Sequence, residues 1–164
     1  MNSVGMYRFA AGVGMLCLML AAASARAGGL LTEAHIHAYI DSLADIQELA
    51  DSYRGEDLSL DNLGAGESLN AMQRIVRQLR GHPMHARFAE TVDYHGFSSP
   101  EHWAEVADAI LVAYIAVEMD RHQPGMREGM ARQGMAELAR VPDRNMALVE
   151  AHTEALRDAF EGRR

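Results

Sequence analysis

Apolar residues recur at helical spacing over most of the chain, and the clearest such stretch is residues 97–120, FSSPEHWAEVADAILVAYIAVEMD. Trp103, Val106, Ala107, Ile110, Tyr114 and Val117 follow one another at steps of mostly three or four, which is one face of a helix. Leu111, Val112 and Ile115 fill much of the remaining circumference, so the pattern predicts a helix over about 98–120 that is buried on several sides. Ser98 and Glu101 stand in the capping-box relation, and Pro100 suits a first turn whose N–H groups have no intrahelical partner. Phe97 is placed to fold over His102 or Trp103. Glu105, Asp108, Glu118 and Asp120 interrupt the apolar run, so this is a core helix and not a membrane span.

The same periodicity predicts a first helix over about 32–53. Thr32 is its cap, Tyr39, Leu43, Ile46, Ala50 and Tyr53 point inward beside Ile36 and Ile40, and His37, Asp41, Asp45, Glu48 and Asp51 lie on the wet side. A second helix over about 67–80 carries Leu69, Met72, Val76 and Leu79 inside and a basic stripe of Arg74, Arg77 and Arg80 outside. That stripe reads as facing solvent or an acidic neighbour, with a carboxylate or anion clamp as the sharper alternative. After the break at Gly81-His82-Pro83, a third helix over about 83–95 turns Met84, Phe88 and Val92 inward and ends at Gly96. Three Gly-Met pairs, at 125–126, 129–130 and 134–135, predict a loop leading into a short helix near 127–140. Pro142 and Asp143 open a last helix to about 160, with Met146, Val149, His152 or Thr153, Leu156 and Phe160 inward. The sum is an all-α fold: a four- to six-helix, bundle-like single domain over 28–164, built around the central buried helix.

Residues 1–27 break this pattern. Arg8, an apolar run over 9–23 and Ala25-Arg26-Ala27 before Gly28 read as a Sec-type signal peptide, with an uncleaved inner-membrane anchor as the competing reading; cleavage places the mature chain in the periplasm or secreted beyond it. The sole cysteine, Cys17, falls inside the run behind a bulky Leu16, an arrangement that speaks against lipidation. The mature chain then has no thiol, hence no disulfide, no Cys-ligated metal and no C-x-x-C-H haem attachment. Without Arg8 and Arg26 it carries 13 basic against 23 acidic residues, a charge of −10 with His neutral. That balance argues against nucleic acid and against anionic membrane surfaces as partners, because both are bound mainly through Lys and Arg.

Eight histidines and seven of the eleven methionines lie beyond residue 27, so metal is the first chemistry to weigh. Imidazole with thioether sulfur suits Cu(I) or Ag(I). The candidate ligands are His82, Met84 and His85 at the third helix, and Met119, His122 and Met126 around the first Gly-Met pair. His35 and His37, two apart on a helix, point in different directions and cannot share an ion. In the acidic connector Asp57, Ser59 and Asp61 alternate as in a calcium loop, but Asn62 and Ser68 stand where that loop needs glycine and glutamate. Glu-x-x-His, H-E-x-x-H and G-x-S-x-G are all absent, and the adjacent pairs Asp93/His95 and Glu150/His152 are splayed by their spacing. The expectation is a non-enzyme: a binding or accessory protein with a protein partner, acting as adaptor or chaperone, with copper or silver binding as the alternative.

The box HGFSSPEHWAEVADAILVAY at 95–114, with LLTEAHIHAYIDSLADIQEL at 30–49 and PDRNMALVEAH at 142–152, resembles a group of small exported helical proteins of proteobacteria. The resemblance spans most of the chain beyond residue 27 and implies an exported helical domain. It carries over no activity and no site residue.

Overall fold

The computed structural model describes residues 30–54, 70–132, 138 and 140–162. The expected leader at 1–27, the calcium-like alternation at Asp57, Ser59 and Asp61, the start of the second helix at 67–69 and the pair Gly134-Met135 lie outside them. Among the described residues the fold is all helical: α1 Glu33–Ser52, α2 Ala71–Leu79, α3 Met84–Tyr94, α4 Pro100–His122, α5 Met126–Arg132, α6 Asp143–Ala151 and α7 Thr153–Phe160. No helix among them is long and apolar enough to cross a membrane.

α4 is the centre, as its pattern predicts, and it packs against α1, α2, α3, α5 and α6. Trp103, Val106, Ile110 and Val117 are buried along it, and Ala104, Ala107, Ala113 and Ala116 are fully covered, small enough to let neighbouring backbones come close. Its second apolar set is less enclosed: Leu111 and Val112 are half-buried, and Ile115 is 39% exposed. The cap is Ser99 and not Ser98. Ser99 Oγ accepts from the His102 N–H at 3.1 Å. The reason is Pro100, which lacks an N–H and has φ preset for the first helical position, so the residue just before it becomes the cap. Glu101 then leaves the capping box and pairs with Arg80 at 2.6 Å.

Each neighbouring helix is set by a mixture of local and distant contacts. Thr32 caps α1 through the His35 N–H at 3.2 Å. Its buried face runs through Ile36, Tyr39, Ser42 and Leu49, a slight rotation from the expected stripe that leaves Ala50 exposed. The rotation follows from Ser42, whose hydroxyl donates to the Tyr39 carbonyl at 2.7 Å and accepts from Trp103 Nε1 at 2.9 Å. α3 ends in a Schellman turn: Gly96 takes φ 87°, its N–H goes to the Asp93 carbonyl and that of Phe97 to Val92, both at 2.9 Å. Phe97 and Val92 are both buried, which adds the apolar contact that accompanies this turn.

The helix expected over 142–160 is two. At His152 the backbone leaves helical geometry, with φ −112° and ψ 13°, and the Thr153 hydroxyl bonds back to the Val149 and Glu150 carbonyls at 3.2 and 3.0 Å. A threonine bonding back in this way competes with the backbone ladder and bends it. The bend lets Val149 and Leu156 both reach the core, while Phe160 at the far end stays 39% exposed.

α2 has no cap from its own residue Asn70. Its first turn is instead capped from another helix: Asp108, buried on α4, accepts from the Met72 N–H at 2.9 Å and the Gln73 N–H at 3.2 Å. Burial pushes the Asp108 carboxyl above its ordinary range, and the two N–H groups pull it back only in part. Asp108→Ala is expected to lower unfolding free energy by about 1–3 kcal/mol, because two donors lose their acceptor, and Asp108→Asn to lower it less. Urea titration reads both, and an alanine variant as stable as the parent would remove this cap from the account.

Ser42→Ala strands the indole N–H in the core and is expected to cost about 1–3 kcal/mol. Trp103 is the only tryptophan, so its emission reports the site directly. An unchanged emission spectrum together with unchanged stability would show the hydrogen bond to be dispensable.

Candidate functional site

α1 and α3 pack against each other, and Leu49 of the first and Phe88 and Val92 of the second belong to the same buried cluster. Between them lies a groove of ≈ 440 Å³. Asp45, Glu48 and Leu49 form one wall, and Arg87, Glu90 and Tyr94 the other. Asp45 is tied across the contact to His95, whose Nε2 lies 2.8 Å from Oδ2. Tyr94 is the last residue of α3, so the turn at Gly96 leads the chain away and the ring stands 83% exposed, edge-on to His95 at 5.2 Å. An exposed tyrosine on the rim of a polar groove offers a rigid apolar face and a hydroxyl at small entropy cost, the properties of an interface anchor.

The six residues named as metal candidates are placed unequally. Met84 is buried in the same core cluster as Phe88 and Trp103. His82 sits in the turn before it, its Nδ1 accepting from the Met84 N–H at 3.1 Å and its ring 5.7 Å from Tyr53. His85 is half-buried, and its Nε2 is shielded from solvent with no hydrogen-bond partner. Met119 is half-buried on α4; His122, exposed, has Nε2 3.3 Å from Glu118 Oε2; Met126, 38% exposed, opens α5. Among the described residues no three His, Cys, Asp or Glu side chains gather into a cation-holding group. The arginine stripe is split among acidic neighbours: Arg80 goes to Glu101, whose carboxyl it holds below the usual range, and Arg74 acts on Asp108.

The histidines show a pattern that spacing alone does not reveal. α1 is met by imidazoles from several sides: His102 of α4 stands 5.8 Å from His35, His152 of the α6/α7 bend 5.1 Å from His37, and both ring pairs are edge-to-face. His95 reaches Asp45, and His82 reaches Tyr53 at the end of the helix. The i,i+2 spacing of His35 and His37 does predict that they part, and the structure shows to whom each turns. His95 finds its acid on α1 and not in Asp93, two residues away. No family model, no curated protein and no solved structure matches the chain.

Proposed function

We propose that this chain is a non-catalytic binding or accessory protein of the bacterial cell envelope, adaptor- or chaperone-like, and that its partner is a protein. The observation that carries the reading is the α1/α3 groove with Tyr94 on its rim: a ring 83% exposed beside a polar channel, held on a rigid helix end. The leader-like pattern of residues 1–27 supports the envelope, and the excess of acidic over basic residues supports a protein over nucleic acid or an anionic membrane. A photo-crosslinking residue at position 94 is expected to trap a discrete adduct in envelope extract of the source cell, while the same probe at Arg144, exposed on α6, traps none. Tyr94→Ala is expected to leave stability within about 0.5 kcal/mol and to reduce partner retention about tenfold. Equal labelling at both positions, or full retention by the alanine variant, would reject the groove as the binding surface.

A second reading, a Cu(I) or Ag(I) protein using His82, Met84 and His85, is favoured by the shielded and unpartnered Nε2 of His85. A neutral imidazole nitrogen with no hydrogen bond to lose is a ready ligand for a soft cation. Competition for Cu(I) against a chromophoric chelator is expected to show sub-micromolar affinity that falls about tenfold or more in His85→Ala. Micromolar or weaker binding, or the same affinity in the variant, rejects it. Met119, His122 and Met126 serve as the comparison set, since Glu118 already engages His122.

A further inference from the structure

Helix α1 is held at its two ends by contacts of different kinds. At the first two turns the facing groups are bases: His35 meets His102 of α4, and His37 meets His152 of the α6/α7 bend. In the second half an acid meets a base, Asp45 with His95 of α3 at 2.8 Å. Two neutral imidazoles edge-to-face attract weakly, and two charged ones at that separation repel. A carboxylate and an imidazole attract more strongly once the imidazole carries its proton.

We propose that the first two turns of α1 are an acid-released latch: a proton taken up by His35, shielded from solvent and set against the ring of His102, loosens residues 33–40 while the Asp45–His95 contact keeps the rest of the helix docked.

The His35–His102 contact is the stronger half of the device, because a second proton on His35 has no place to be met. His35 Nδ1 is shielded from solvent with no acceptor beside it. Across from it, His102 Nδ1 accepts from the Ser98 N–H at 3.3 Å and lies 3.1 Å from the Ser98 hydroxyl. Glu101, the acid next to His102 in the chain, is taken by Arg80. Around His37 the balance is softer. Glu33 and Asp41 stand one turn to either side on α1, Glu150 and Glu154 flank His152 along the chain, and Arg157 of α7 is turned to Tyr114 and Glu118. From α3 the charged groups toward α1 are His95 and, along the groove, Arg87 and Glu90, all beside the second half of the helix.

The direction with pH follows from His35. Burial first, and then the neighbouring His102, hold its imidazole below the ordinary value of 6.5. A base with a depressed folded pKa contributes its full stability above 6.5 and loses it as the pH falls from there through the folded value. Against this, the bond from the Leu31 N–H to Asn145 Oδ1 at 2.9 Å and the burial of Ile36 and Tyr39 hold the end shut without regard to pH. Release uncovers that apolar face. The latch rests on the binding reading only for the use made of this face; its existence is a property of the chain alone.

Asp108 has the opposite sign. Its raised folded pKa adds stability as the pH falls, so a global melt mixes the two effects and a local probe is needed. Native-state amide hydrogen exchange of the full chain, corrected for intrinsic rates, is compared at about pH 8 and about pH 5, the range in which imidazoles titrate while carboxylates ordinarily stay ionised. Protection at residues 36–40 is expected to fall about tenfold or more, the order for like charges near a protein surface, while residues 46–50 change by less than about threefold. His35→Phe and His102→Phe each keep a ring in place and remove the titration, and each is expected to shrink the acid loss. Equal loss along the whole helix, no loss at all, or a loss undiminished in both variants overturns the proposal. If neither variant folds, the gradient along α1 in the parent chain decides, because global acid unfolding would take both halves. Crosslinking at Tyr94 is unaffected by that outcome, so failure of the latch and failure of the groove are told apart.

Discussion

The indole of Trp103 is the constraint on which the arrangement of helices depends. It leaves α4 near its start, lies 5.6 Å from the ring of Tyr39 on α1 and 5.3 Å from that of Phe88 on α3, and donates its N–H to Ser42. A buried Trp N–H needs an acceptor, and the acceptor must come from a neighbour at hydrogen-bond distance. Ser42 supplies it and donates its own O–H to the Tyr39 carbonyl, so one side chain sets the rotation of α1 and the closeness of α3. Many of the remaining buried positions of α4 are alanines, which fill space without directing it.

Charge does comparable work at the other side of α4. Asp108 sits in the interior at a desolvation cost, and the N-terminus of α2 offers it two N–H groups and the positive end of a helix dipole. The exchange is mutual: α2 lacks a cap of its own, and the carboxylate lacks water. Breaking either side leaves a buried polar group unmet, so the pair specifies where α2 may dock more sharply than its apolar face, Val76 and Leu79, could alone.

Around α1 the polar contacts are of another kind. The rings of His102 and His152 and the His95–Asp45 contact meet α1 at the edge of the core. The groove between α1 and α3 opens beside the most firmly tied of these, with Tyr94 and His95 adjacent in the chain but one ring in water and the other against Asp45. The groove and these imidazole contacts thus share one helix.

How much of this the chain shows before folding can be said residue by residue. The periodicity of Trp103, Val106, Ile110 and Val117, of Met84, Phe88 and Val92, and the cap at Thr32 are local signals, set by 3.6 residues per turn and by unpaired first-turn N–H groups, and they place α1, α3 and α4 correctly. Pro100 was equally local, and its preset φ and missing N–H select Ser99 over Ser98. The worth of a polar residue is not local. Asp108 reads in the sequence as an interruption of an apolar run, and Ser42 and Asn145 carry no local signal, yet all three are buried because their partners arrive from 36, 61 and 114 residues away. The same holds for the histidines: spacing says which of them diverge, and only the packing of five helices about α4 decides which ring each one meets. Apolar burial is additive along a stripe and can be read from one strand of text; hydrogen bonds and charges have value only in pairs, and the pairs here are made by tertiary structure.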